Sequence, residues 1–177
     1  MVKVKNKPHV VHNSGKYEWY TPAEYIELAR KVMGSIDCDP ASSEVANELI
    51  KASIYYTVED DGLIQDWKGN VWLNPPYSRD LIKQFTDKLI KEIEKGNVKQ
   101  AMVLTNNATE TRWYQNIAKY AQAIFFIKGR VKFIDGNTME VANVGLQGQS
   151  MLYFGDDVDR FLDYCSKLDG IVCKLDK

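Results

Sequence analysis

The apolar run in GNVWLNPPYSRD, residues 69–80, ends in Asn74-Pro75-Pro76-Tyr77, and these four residues carry the chemistry the sequence offers most plainly. The Asn74 side-chain oxygen and the Pro75 main-chain carbonyl can together accept both protons of one NH2 group. Such a pair suits an aromatic exocyclic amine, whose lone pair is otherwise delocalised into its ring. Two acceptors outside the ring plane favour a pyramidal nitrogen and hold its lone pair toward an electrophile. As positive charge develops on nitrogen, both hydrogen bonds strengthen, which is preferential stabilisation of the transition state. The Tyr77 ring can stack on a flat base and fix its position. The prolines can neither donate ladder hydrogen bonds nor continue a helix, so the stretch leaves its strand stiff and extended. The plain alternative is a proline-terminated strand that carries a surface tyrosine.

Those groups need a frame. Asn70–Leu73 reads as the strand that delivers them. Upstream, Thr21-Pro22-Ala23-Glu24 has the form of a capping box with proline at the first helical position. Tyr25, Ile26, Ala29, Val32 and Met33 then recur at helical spacing, and Gly34 closes the segment. Ser35–Asp39 is a short strand candidate, Glu44–Ile50 a short helix, and Ile54–Val58 a β-branched strand. Ile82, Phe85, Leu89 and Ile93 form a helical stripe ending at Gly96. Ala101–Thr105, Ala123–Ile127 and Met151–Phe154 are apolar strands. Trp113, Ile117 and Tyr120 mark one further helix, and Val158, Phe161, Leu162, Cys165 and Leu168 another. Alternating strands and helices imply an α/β sandwich around a largely parallel central sheet, both faces covered. Ligands of such sheets collect beyond the carboxyl ends of the strands, which is where Asn74 falls.

Composition excludes several classes. With 177 residues, 45% hydrophobic and 27% charged, the chain suits one globular domain, 17–177, preceded by a flexible basic arm, 1–16. No apolar run is long enough to cross a bilayer and no signal peptide is evident, so a soluble, cytoplasmic protein without a membrane partner is expected. Cys38, Cys165 and Cys173 form no C-x-x-C pair, and His9 and His12 are the only histidines, so no metal site is expected. Net charge is −1, yet Lys3, Lys5, Lys7 and Lys16 cluster at the start. Arg112, Lys119, Lys128, Arg130 and Lys132 fall in a second acid-free stretch. Either segment can meet phosphates while the total stays near neutral, or be solvated surface.

The order EWYTP, DCDPAS, EDDGLIQDW, VWLNPPYS, KGRVKF and GQSMLYFG resembles that of the small phage and prophage DNA N6-adenine methyltransferases of the Dam type, over roughly residues 17–155. The resemblance implies a Rossmann-like class I methyltransferase fold, S-adenosyl-L-methionine as cofactor, and double-stranded DNA as partner, with no obligatory protein partner. By it, an adenine flipped from the duplex has its N6 amine held by Asn74 and Pro75 and its ring stacked on Tyr77. It further implies that Thr21-Pro22, at a helix start, holds the cofactor carboxylate, with Trp19 and Tyr20 as packing or part of the same wall. Asp39, with Pro40 and Ala41, would lie near the cofactor's amino group, and Asp60 or Asp61 near its adenine. Each has a local alternative: a helix cap for Thr21, an Asp-Pro turn for Asp39, a polar loop for Asp60 and Asp61. After Asp39 the chain reads ASSEVAN, where methyltransferases usually carry a glycine-rich loop. Arg130, Lys132 and Phe133 would line the base pocket and touch phosphates, or belong to an ordinary strand with exposed basic residues. Two other functions remain open: the same geometry on a protein glutamine amide or an RNA base, and a non-catalytic DNA-binding relic.

Overall fold

The computed structural model describes residues 19–136, 138–142 and 147–176, so the expected basic arm lies outside the described residues. Along the chain come β1 (Trp19–Tyr20), α1 (Ala23–Met33), β2 (Cys38–Asp39), α2 (Glu44–Ile50), β3 (Ile54–Tyr55), β4 (Gly69–Leu73) and α3 (Arg79–Glu94). They are followed by β5 (Val98–Asn106), α4 (Arg112–Ala118), β6 (Ala123–Ile127), β7 (Ile134–Asp135), β8 (Gln149–Phe154), α5 (Val158–Cys165) and β9 (Gly170–Lys174). Seven strands form one sheet in the order β3-β2-β4-β5-β8-β6-β9, and β1 pairs separately with β7.

The architecture is mixed α/β, and it corrects the expectation of a largely parallel sheet. β2 runs parallel to β3 and β4, and β4 parallel to β5. The pairs β5–β8, β8–β6 and β6–β9 are antiparallel. Parallel neighbours need a crossover, usually helical, whereas antiparallel strands can be joined without one. Among the described residues no helix separates β6 from β8, and β8 pairs beside β6 in the opposite sense.

Both faces of the sheet are covered because its central strands are apolar at successive positions through their middles, Val71–Leu73, Ala101–Leu104 and Met151–Phe154. Trp72, Met102, Leu104, Met151 and Tyr153 enter one core with Ile26 and Ala29 of α1 and Phe161 of α5. Their alternates Val71, Leu73, Ala101, Val103, Leu152 and Phe154 enter the other with Phe85 and Leu89 of α3 and Ile117 of α4. This is the period-2 alternation of a strand with no polar face. Trp67 and Trp72 are fully buried.

β3 and β4 lie on opposite sides of β2, so the strand order reverses between β2 and β4. The carboxyl ends of these two strands therefore flank the crevice where open α/β sheets bind ligands. β2 ends in Asp39, and β4 is followed at once by Asn74.

Candidate functional site

Two corners flank that crevice. The first is built on Asn74, whose Nδ2 donates to Thr21 Oγ1 at 3.1 Å. Its Oδ1 lies 2.9 Å from the Tyr77 hydroxyl, which is also 2.9 Å from Gln149 Oε1. The Tyr77 ring is 38% exposed, but its hydroxyl points inward onto these amides. Burial of that end pushes the hydroxyl well above the ordinary tyrosine pKa, so it stays protonated and can donate. Phe133 meets Tyr77 edge-on, with ring centroids 6.5 Å apart.

Thr21 does not cap the first helix as the capping-box reading expects. Pro22 is the N-cap residue and no side chain bonds there. Thr21, only 5% exposed, instead accepts from Asn74, 53 residues away. A tertiary hydrogen bond to a half-buried amide takes the place of a local one.

The second corner is built on Asp39, which is 1% exposed. Ala41 N–H donates to its Oδ1 at 3.2 Å. Burial pushes the Asp39 carboxyl up to about 6, against the pull of the Ser42 hydroxyl and the Ala41 N–H. The buried Ser42 Oγ closes no hydrogen bond, so toward Asp39 it acts as a nearby dipole rather than a formed bond. A buried acid with one N–H donor and an orphaned hydroxyl beside it suits a cationic ligand.

Gly62 locks the following loop against this corner. A Cβ there would stand 1.9 Å from the Pro40 carbonyl oxygen, so no other residue fits without displacing backbone. Trp67 Nε1 donates to the Gly62 carbonyl at 2.8 Å and pins the loop from the core side. Asp60 accepts from both N and Oγ1 of Thr57, which lowers its pKa, and Asp61 Oδ1 accepts from Leu63 N at 3.1 Å. Both carboxylates thus serve the loop's own turns.

The 128–133 segment lies outside the strands and still alternates: Arg130 and Lys132 are exposed, Val131 is buried and Phe133 half-buried. It leads into β7, which pairs with Trp19 and Tyr20 of β1. That pairing joins the start of the described chain to the basic segment, with Phe133 beside Tyr77. Trp19 is exposed and Tyr20 half-buried.

Gln149 is the residue that sequence reasoning missed at this site. It is buried at the start of β8, opposite Asn106 of β5. The available signal was two polar residues, Gln149 and Ser150, opening an otherwise apolar strand. Among the described residues, no group of three His, Cys, Asp or Glu side chains could hold a metal ion. No helix among them is long and apolar enough to cross a membrane. A cleft of about 400 Å³ at the β3 edge is lined by Cys38, Tyr56, Gln65 and Lys68 among others, and by none of the anticipated site residues. Burial holds the Cys38 thiol at about 12, so it is no nucleophile.

Residues 9–169 match the family described as DNA N-6-adenine-methyltransferase (Dam). A relative from Escherichia phage T1, named DNA N-6-adenine-methyltransferase, is 34% identical over 122 residues, covering 67% of this chain and 48% of the relative. The chain thus spans about half the length of the relative it matches.

Proposed function

The chain belongs to the DNA N-6-adenine-methyltransferase (Dam) family, and from that premise we propose that it methylates the N6 amine of adenine in double-stranded DNA. The methyl donor in this reading is S-adenosyl-L-methionine, and the fold is a Rossmann-like methyltransferase fold. The observation that carries the reading is the station of Asn74, at the carboxyl end of β4 beside the reversal of strand order, with its amide held by Thr21 and Tyr77.

Asn74 Oδ1 keeps a second lone pair for a substrate proton, and the Pro75 carbonyl supplies the partner acceptor. Together they hold the amine of a flipped adenine and draw its nitrogen toward a pyramidal shape. Tyr77, ring outward and hydroxyl inward, offers a face for the base, with Phe133 buttressing its edge. S-adenosylmethionine would supply an electrophilic methyl group on sulfur. Asp39 would meet the cofactor's positive charge, with Pro40 and Ala41 shaping that wall, while Thr21-Pro22 and the β1 residues Trp19 and Tyr20 lie on the adjoining side. No general base is required, because a methylated amine is cationic and gives its proton to water. Arg130 and Lys132 would contact phosphates. A DNA substrate would place this work in the cytoplasm of a bacterial host.

The test is incubation with methyl-labelled cofactor and duplex DNA, RNA or protein, followed by digestion and identification of the labelled product. Label in N6-methyladenosine from DNA is the expected result. Transfer only to glutamine or to RNA, or DNA binding without transfer, would overturn the proposal.

A further inference from the structure

Thr21, Asn74, Tyr77 and Gln149 come from four places in the chain and meet as one row of polar side chains. Their proton count does not close as the atoms stand. The Tyr77 hydroxyl carries one proton, yet it lies 2.9 Å from two amide oxygens, Asn74 Oδ1 and Gln149 Oε1. One of the two amides must present nitrogen to the tyrosine instead, by a half-turn that leaves its shape unchanged.

Two arrangements satisfy every contact. In the first, Gln149 donates to Tyr77, Tyr77 donates to Asn74 Oδ1, and Asn74 Nδ2 donates to Thr21. In the second, every bond is reversed: Thr21 donates to Asn74 Oδ1, Asn74 Nδ2 to Tyr77, and Tyr77 to Gln149 Oε1. The Thr21 hydroxyl serves equally as donor or acceptor, so it does not choose between them. Only the first turns the Asn74 oxygen to the Tyr77 side, where an amine lying against that ring would meet it. The second offers the amine an N–H, donor against donor.

We propose that Gln149 is a positioning residue coupled, through the Tyr77 hydroxyl, to the atom that the Asn74 amide turns to the substrate amine. Its amide, 3% exposed, lies beyond the tyrosine, so its influence travels along the row rather than by touching substrate. The inference rests on the reading that Asn74 accepts a proton of the substrate amine.

The experiment compares two near-isosteric variants in two backgrounds. Gln149→Glu can only accept when ionised, so at a pH of about 8.5, high enough to hold the buried carboxyl ionised, it draws the Tyr77 proton and selects the second arrangement. Gln149→Met neither donates nor accepts, and leaves Tyr77 free to donate to Asn74. Gln149→Glu should lower kcat about tenfold to a hundredfold, as for a hydrogen bond to a developing charge, with KM for DNA little changed. Gln149→Met should stay within about threefold of the parent chain. In the Tyr77→Phe background, Gln149→Glu should have no further effect, because the wire is cut. Equal losses in the two Gln149 variants, or an undiminished Gln149→Glu effect beside Tyr77→Phe, would overturn the proposal. The second readout needs no turnover: the Asn74 side-chain amide resonances, assigned with Asn74→Asp. Each Gln149 variant that folds should shift them with Tyr77 present and leave them unmoved in the Tyr77→Phe background. Equal shifts in both backgrounds, or none, refute the coupling whatever the activity. A clean coupling in a chain that never methylates adenine would instead refute the proposed function.

Discussion

Replacing Asp39 by Asn removes a charge from a site where no cation among the described residues acts on it. The carboxyl is pushed by burial to about 6, from an ordinary value of 3.8. Between those values the folded state binds a proton that the unfolded state has released, so stability is lost as pH rises from about 4 to 6. Above that window the loss is constant. A rise of about two units corresponds to about 3 kcal/mol of destabilisation at neutral pH. Asp39→Asn keeps the acceptor for Ala41 N–H, and its new NH2 can donate to the orphaned Ser42 hydroxyl. The variant should therefore be more stable than the parent at pH 7.5, by up to about 3 kcal/mol, or about 6–12 °C in Tm for a chain of this size. The difference should vanish below pH 4. Urea denaturation from pH 4 to pH 8 measures it, and the same samples with S-adenosylmethionine complete the argument. The cofactor should raise the Tm of the parent clearly and that of Asp39→Asn much less. An Asn variant less stable at pH 7.5, or a stability difference that ignores pH between 4 and 7, would refute the account of Asp39 as an uncompensated buried charge.

Three other substitutions probe the remaining parts. Asn74→Ala should lower kcat at least about a hundredfold, while cofactor affinity by calorimetry changes by less than about threefold; near-normal turnover would remove Asn74 from its role. Gly62→Ala should destabilise the fold by about 2 kcal/mol or more in urea titrations, because the new methyl meets the Pro40 carbonyl. An unchanged midpoint would mean the loop is not held there. Lys132→Ala should weaken DNA binding and reduce the slope of log affinity against log salt by about 1, and an unchanged slope would exclude a phosphate contact.

Much of the frame was legible because it rests on local periodicity. The spacing of Tyr25, Ile26, Ala29, Val32 and Met33 marks α1, and Gly34 ends it with φ 84° and an N–H donated to the Arg30 carbonyl. Glu44–Ile50 is the helix expected, capped by Ser43. The strands at Gly69–Leu73, Val98–Asn106 and Ala123–Ile127 stand where apolar runs put them. α4 and α5 are shorter than their stripes suggest, stopping at Ala118 and Cys165. β3 likewise keeps only Ile54 and Tyr55 of the expected five residues. β1, β7 and β9 escaped notice: two are two-residue pairings, and the third is a five-residue strand on the sheet's edge, too brief for a periodic signal.

The sequence by itself determined the kinds of groups on offer: an amide and a proline carbonyl at a strand's end, a ring two residues on, and a basic segment without acids. These are properties of residue type and near-neighbour order, so a one-dimensional reading reaches them. Only the tertiary structure decided how those groups are held. It turned Thr21 from a helix cap into the partner of Asn74, buried Asp39 at the end of β2, pressed Gly62 onto Pro40, and brought Gln149 across the sheet to the Tyr77 hydroxyl. Each of these depends on which strands become neighbours. Hydrogen bonds and desolvation act over a few ångströms of space, and no spacing along the chain encodes that distance.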